Sequence, residues 1–228
     1  MNGLLYYPIS ILCICSGIAI NTQAMGETYP KQDLREIKFI PPQDGEKPDT
    51  KGAGTRNPKN FGCSDRDSKI TTIMPQNNYG LTTKEYPEIF IDLGNTSAKQ
   101  VVLSFQDRAQ QDHQVSFLPI QEKSSIRSFS LPKDTPGLET NRYYQWKLVL
   151  VCGDRLDVSD PVLSGWIKRQ QPDINLGELA KKSTIQQANW YAQHGYWYDF
   201  LSQIKAIENS GLPKNTIIDI WQEINNKY

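Results

Sequence analysis

The chain has 228 residues, 38% hydrophobic and 22% charged, with 25 basic and 25 acidic side chains and a formal net charge of +0. That balance argues against a nucleic-acid binder, which carries a basic domain or stripe, and a mean hydropathy of -0.57 excludes a multi-span membrane protein. Apolar content and balanced charge also exclude a wholly disordered chain, and the length leaves room for one globular domain of roughly 100–200 residues with an appendage.

Residues 1–24 contain no Asp, Glu, Lys or Arg, and Leu4 to Ile20 is almost entirely apolar. The run is short for a tilted membrane span and a polar chain follows, so it reads as a secretory signal peptide with a small residue, Ala24, at its cleavage edge. The n-region has no Lys or Arg, and an uncleaved N-terminal anchor is the alternative. After leader removal no membrane span is expected. Cys13 and Cys15 fall in the leader, which leaves Cys63 and Cys152 in the mature chain. In an exported domain these two are expected to form one disulfide, with two buried free thiols as the alternative. The expected place is therefore periplasmic or extracellular.

Residues 25–62 are rich in Pro, Gly, Lys and Asp and read as a flexible linker, apart from one apolar patch, Ile37 to Ile40. Gly52-Ala53-Gly54-Thr55-Arg56 lacks the Gly-Lys-Ser/Thr ending of a phosphate loop and is assigned to the linker. A strand-rich domain is expected over 63–171. Its candidate strands are Ile70–Met74, Glu88–Leu93, Gln100–Gln106, Gln114–Ile120, Ile126–Leu131, Tyr143–Cys152 and Val162–Arg169. Each is bounded by Pro, Gly, Asn or Asp, and seven short strands at such spacing predict a β-sandwich. Alternation is clearest at Val115 and Phe117 and at Phe129 and Leu131.

Tyr144, Trp146, Leu148, Leu150 and Cys152 alternate, which places all five on one face. Leu138, six residues before Tyr144, gives the spacing of the tyrosine corner in immunoglobulin-like and fibronectin-like sandwiches. An ordinary half-buried strand tyrosine is the alternative. The fold class is thus mainly β, an immunoglobulin/fibronectin-like sandwich with a C-terminal helical appendage over 172–228. In that appendage Ser183 and Gln186 form a capping box. Three apolar stripes follow at helical spacing: Ile185, Ala188, Tyr191 and Ala192; Trp197, Phe200, Leu201, Ile204 and Ile207; then Ile217, Ile220, Trp221 and Ile224. Tyr191, Gly195 and Trp197 sit at the spacing of a tetratricopeptide-type hairpin, with Phe200 where that motif has a small residue. A lone repeat cannot bury its own stripe, so it must pack on its own chain or on a partner. Packing on its own chain is the simpler expectation. Trp190, Tyr196, Trp197 and Tyr198 are more aromatic than one hairpin requires and are the candidate partner-binding residues.

Several segments together resemble an uncharacterised secreted cyanobacterial family, a domain of unknown function. They are Gly52–Cys63, Ile70–Leu81 with Pro75-Gln76-Asn77-Asn78-Tyr79-Gly80-Leu81-Thr82, Phe129-Ser130-Leu131-Pro132, Leu138–Cys152, Gly165-Trp166-Ile167, and Tyr191-Ala192-Gln193-His194-Gly195-Tyr196-Trp197-Tyr198-Asp199. The resemblance runs from about residue 50 to near the end. It implies a leader, a strand-rich domain and a helical tail, and it carries no activity.

Catalytic chemistry finds little footing. His113 lies in a polar turn, and His194 at a helix end is explained by the helix dipole. Two His and no Cys-x-x-Cys pair give no zinc pattern. Ser64 to Ser68 lacks the glycine turn and closing Glu of a calcium loop. No cofactor is expected and no enzyme is expected. The expected role is an exported interaction or structural module of the cell envelope, with another envelope or secreted protein as partner. A carbohydrate-binding module, with Tyr79, Tyr86 and Tyr143 as its platform and a glycan as ligand, is the alternative. An envelope hydrolase ranks last.

Overall fold

The computed structural model describes residues 37–43, 63, 70–109, 111–121, 125–211 and 219–224. The expected leader, the expected linker outside 37–43, Ser64 to Ser68, and Ile217 of the third helical stripe lie outside the described residues. All described residues fall in one compact unit, Lys31–Tyr228.

Among the described residues, eight strands precede three short helices: β1 Thr71–Thr72, β2 Tyr79–Thr82, β3 Ile89–Asp92, β4 Gln100–Asp107, β5 Asp112–Pro119, β6 Ile126–Phe129, β7 Tyr143–Val151 and β8 Val162–Arg169, then α1 Leu176–Ala180, α2 Thr184–Gln193 and α3 Trp197–Asn209. A further helical segment covers 219–224. The strands make two sheets, ordered β1-β3-β6 and β2-β8-β7-β4-β5. Every pairing is antiparallel except β2 with β8, which run parallel. The chain is therefore mainly β, with a few short helices at its C-terminal end.

All seven expected strands are present. The eighth, β2, was not foreseen, because its four residues are all buried and contain Gly80, so it shows neither alternation nor a β-branched run. Alternation in β7 follows the expected phase through Leu150: Tyr144, Trp146, Leu148 and Leu150 are buried while Tyr143, Gln145, Lys147 and Val149 are half-buried, but Val151 is buried and Cys152, just past the strand, is half-buried. Trp146 lies flat on the backbone of Gly165 in β8, where an added Cβ would stand 2.6 Å from its Cζ2. Glycine here makes room for one of the two fully buried tryptophans of the described core. The Tyr144 hydroxyl accepts the Glu139 N–H at 3.2 Å, and Leu138 is buried beside it.

Alternation in β5 has the opposite sense from an inward apolar face. Ser116 is buried, whereas Val115 is 45% and Phe117 59% exposed. Cys63 and Cys152 are joined, with Cα atoms 4.9 Å apart, which ties the chain ahead of β1 to the end of β7.

The tail begins with α1, capped by Asn175, which the sequence pattern does not signal. In α2 the capping box at Ser183 and Gln186 is present as expected. Gly195, at φ +79°, turns the chain between α2 and α3, and Pro42 packs so closely there that an added Cβ would lie 2.8 Å from its Cγ. The apolar patch at Ile37 is not a free linker: Ile37 and Phe39 are buried, the Ile40 N–H donates to the Ala192 carbonyl at 2.9 Å, and Phe39 meets Trp197 edge-on at 4.7 Å. Trp221, in the last helical segment, stacks on Phe90 of β3 at 5.7 Å. Buried side chains of both sheets and of the tail belong to one hydrophobic cluster.

Candidate functional site

The aromatic tail was the first candidate, and burial decides its role. Tyr196, Trp197 and Tyr198 are 3%, 0% and 1% exposed, and only Trp190 among the four is half-buried. The polar atoms of Trp197 and Tyr198 are bonded within the fold. The Trp197 indole N–H donates to the Ile73 carbonyl at 2.9 Å. The Tyr198 hydroxyl accepts the Trp146 indole N–H at 2.7 Å and donates to the Trp166 carbonyl at 2.9 Å. Full burial pushes the Tyr198 phenol far above its ordinary value, so it remains a neutral donor. Burial and then the nearby Asp199 carboxylate push Tyr196 up to about 12. These three aromatics are core. Trp190 stacks on His194 at 4.1 Å and on Tyr196 at 5.6 Å.

Asp199 locks the tail to the sheet. It is 1% exposed, in the first turn of α3, and accepts the Thr83 N–H at 3.0 Å and the Thr83 hydroxyl at 2.6 Å. Burial raises its carboxyl above the ordinary range, and the bonds from Thr83 and the charge of Lys84 oppose that rise. Ser202, one turn on, donates to Glu88 at 2.8 Å. The Thr83 amide and hydroxyl reach from the β2–β3 region to Asp199 and the Ser202 hydroxyl reaches back to Glu88, which fits a structural clamp.

The two histidines have structural partners as well. His113 Nε2 lies 3.0 Å from the Gly137 carbonyl, with its ring 4.9 Å from that of Tyr144. His194 Nδ1 lies 2.7 Å from the Trp190 carbonyl. The three tyrosines of the sugar-platform expectation do not share one exposed surface. Tyr79 is buried; Tyr143 is half-buried with the Arg108 guanidinium 4.1 Å above its ring; Tyr86 donates its hydroxyl to the Thr135 carbonyl at 2.9 Å, beside the smaller sheet. Only Tyr79 and Tyr143 approach each other, at 5.8 Å.

Among the described residues the exposed large apolar side chains are Val115 and Phe117 on the outer face of the larger sheet, Leu156 and Val158 in a loop, and Ile40 and Ile174. Register aligns Phe117, Val102, Val149 and Val162 in one row across β5, β4, β7 and β8. Neighbouring side chains on one face interact across strands, so this row is a continuous apolar line in which Val102 is buried, Val149 and Val162 are half-buried and Phe117 alone is exposed. It ends at Phe117 on the edge strand, with Val115 next to it. The adjacent row, Val115, Ser104, Lys147 and Ser164, is mostly polar, and beyond it Lys147 donates to Gln106 and Gln106 to Asp112. The outer face is thus apolar toward one end and polar toward the other. The β7–β8 loop adds two exposed apolar side chains, Leu156 and Val158.

Residues 51–227 match DUF928, a domain of unknown function. The chain belongs to the DUF928 family. No curated protein matches it. The DUF928 match spans the disulfide, both sheets and the helical tail, so strands and tail lie within one family domain. That agrees with the shared core described above.

Proposed function

We propose that this DUF928 chain is an exported, non-enzymatic module of the cell envelope that binds another protein through the exposed Val115 and Phe117 on the outer face of its larger sheet. The observation that carries the reading is the pair Val115 and Phe117: large apolar side chains held in the open on an edge strand while every aromatic of α3 is enclosed. Export is supported by the apolar leader of the sequence, by the Cys63–Cys152 bond, which persists in oxidising compartments, and by the resemblance to a secreted cyanobacterial family. The body is read as an immunoglobulin-like sandwich on the strength of the Tyr144–Glu139 bond beside buried Leu138. The α2–Gly195–α3 hairpin is read as a tetratricopeptide-like unit whose stripe is covered by its own chain rather than by a ligand.

Site-specific photocrosslinking in the native envelope tests the contact. A photoreactive side chain at position 117 is expected to capture a protein, whereas one at position 190 is not. Capture at 190 alone would move the contact to the tail and overturn the reading. Intact mass with and without reductant tests export: removal of the leader and a two-hydrogen gain on reduction are expected.

A further inference from the structure

The outer edge of β5 has a property that singles out one partner. β5 is the terminal strand of its sheet. The Ile120 N–H donates to the Lys99 carbonyl at 2.8 Å, and the register continues Leu118 opposite Val101 and Ser116 opposite Leu103. In an antiparallel pair, main-chain bonds to one neighbour alternate along the strand. The main-chain groups of Leu118, Ser116 and Gln114 therefore serve β4, and those of Val115 and Phe117 point away from the sheet, where the Val115 carbonyl accepts the exposed Gln114 side-chain amide at 3.2 Å.

Two features bound this free edge. The register shifts between Phe105 and Gln106, which leaves His113 as an extra residue at one end, and Pro119, without an N–H, closes the other. Between them runs Gln114-Val115-Ser116-Phe117-Leu118, with Ser116 at its centre and no formal charge. Lysines and inward charges, which commonly keep sheet edges apart, are missing from this stretch.

We infer that β5 pairs with β5 of a second copy of this chain, antiparallel about a two-fold axis at Ser116, joining the two larger sheets edge to edge. The inference rests on the contact reading above and names its partner. A two-fold at Ser116 sets Val115 opposite Phe117 of the other copy, and Phe117 opposite its Val115. Both are the outward-pointing positions, so the backbone parity that turns their N–H and C=O groups away from β4 is the parity the symmetric ladder needs, with about four main-chain bonds once the exposed Gln114 amide leaves the Val115 carbonyl. Their side chains meet on the exposed outer face as aromatic–β-branched pairs, a favourable cross-strand combination. No like charges are opposed. A register slip by one residue would set outward groups against inward ones, and Pro119 and the extra residue at His113 block longer slips. The symmetry is isologous and closes at two copies, so no open filament forms.

The test uses two double variants of the full chain, followed by sedimentation equilibrium over a range of concentrations. In V115K/F117K each ladder pair becomes Lys opposite Lys; in V115K/F117E each becomes Lys opposite Glu. The wild-type chain is expected to show a reversible monomer–dimer equilibrium. V115K/F117K is expected to be monomeric, and V115K/F117E to recover dimer, with at least a tenfold difference in dissociation constant between the variants at low salt that narrows at high salt. A wild-type chain that stays monomeric up to about 1 mM, in the range where weak contacts of this size associate, overturns the inference, as do equal masses for the two variants. Because both positions are exposed, folding is expected to survive. Should either variant fail to fold, amide exchange in the wild-type chain decides: slowing at Val115 and Phe117 with rising concentration supports the pairing, and concentration-independent exchange overturns it. Capture of a different protein at position 117, with a monomeric wild type, would overturn the second-copy inference and leave the contact reading standing. Absence of any capture at 117 in a chain that dimerises in these assays would place the dimer contact elsewhere and overturn both.

Discussion

Changing Tyr198 to Phe removes one oxygen from the centre of the fold and leaves its shape intact. The hydroxyl accepts the Trp146 indole N–H at 2.7 Å and donates to the Trp166 carbonyl at 2.9 Å, and both Tyr198 and Trp146 are enclosed. Without it, the Trp146 N–H is buried with no acceptor, at a cost of about 1–3 kcal/mol, and the lost bond to Trp166 adds about 0.5–1.5 kcal/mol. The variant is therefore expected to lose about 2–4 kcal/mol, or roughly 5–15 °C in Tm for a domain of this size. Urea unfolding followed by tryptophan fluorescence reads the loss as a shift in midpoint at constant m. Trp146→Phe in the same background supplies the check: with the donor gone, Tyr198→Phe should cost about 1–2 kcal/mol less than alone, a coupling typical of contacting groups. A loss below about 0.5 kcal/mol for Y198F, within the range of ordinary surface substitutions, would refute the claim that this hydroxyl joins helix to sheet.

Other consequences follow from single contacts. Asp199 has a carboxyl raised by burial, so its folded-state value lies above its unfolded one. Its protonated form thus favours folding: that contribution is complete below about pH 3.9 and is lost as pH rises through the folded value. In D199N the urea midpoint should lose this fall with rising pH; an unchanged pH profile would count against the clamp. Reduction of the Cys63–Cys152 bond, which spans 89 residues, should lower stability by about 4–5 kcal/mol on the chain-entropy model, checked by unfolding with and without reductant. An unshifted midpoint would show that the bond constrains nothing. Gly165→Ala places a methyl group against the Trp146 ring and should cost about 1–3 kcal/mol, whereas Gly153→Ala, with its nearest neighbour 3.9 Å away, should be near neutral. Equal thermal melts for the two variants would contradict the packing of Trp146.

Much of this architecture was legible because its signals are local. Tyr144 to Leu150 alternates over a long strand, Ser183 and Gln186 mark a helix start within one turn, and Gly195 stands where the chain must reverse. What escaped was decided by distant neighbours. β2 is a strand only because β8 lies parallel to it and α3 covers it, with Gly80 letting the Trp197 Cβ approach its backbone. The alternation of Val115 and Phe117 identified a strand, yet periodicity has no sign: it cannot say which face is inward, and here the apolar one is outward. The same gap made the α3 aromatics look available. Trp197 and Tyr198 carry polar tips, and their acceptors and donors, Ile73 and Trp146, lie 124 and 52 residues away.

The central claim is that the helical tail belongs to the core, which leaves the β5 edge as the open contact face. Native-state amide hydrogen exchange read residue by residue tests this most directly. If the claim holds, amides of Ile204 and Ile207 in α3 exchange through the same global opening as those of Leu148 and Leu150 in β7, with matching free energies and matching denaturant dependence. Exchange of the α3 amides through a separate, smaller opening while β7 stays protected would contradict it, because the tail would then be an appendage free to leave the sheet.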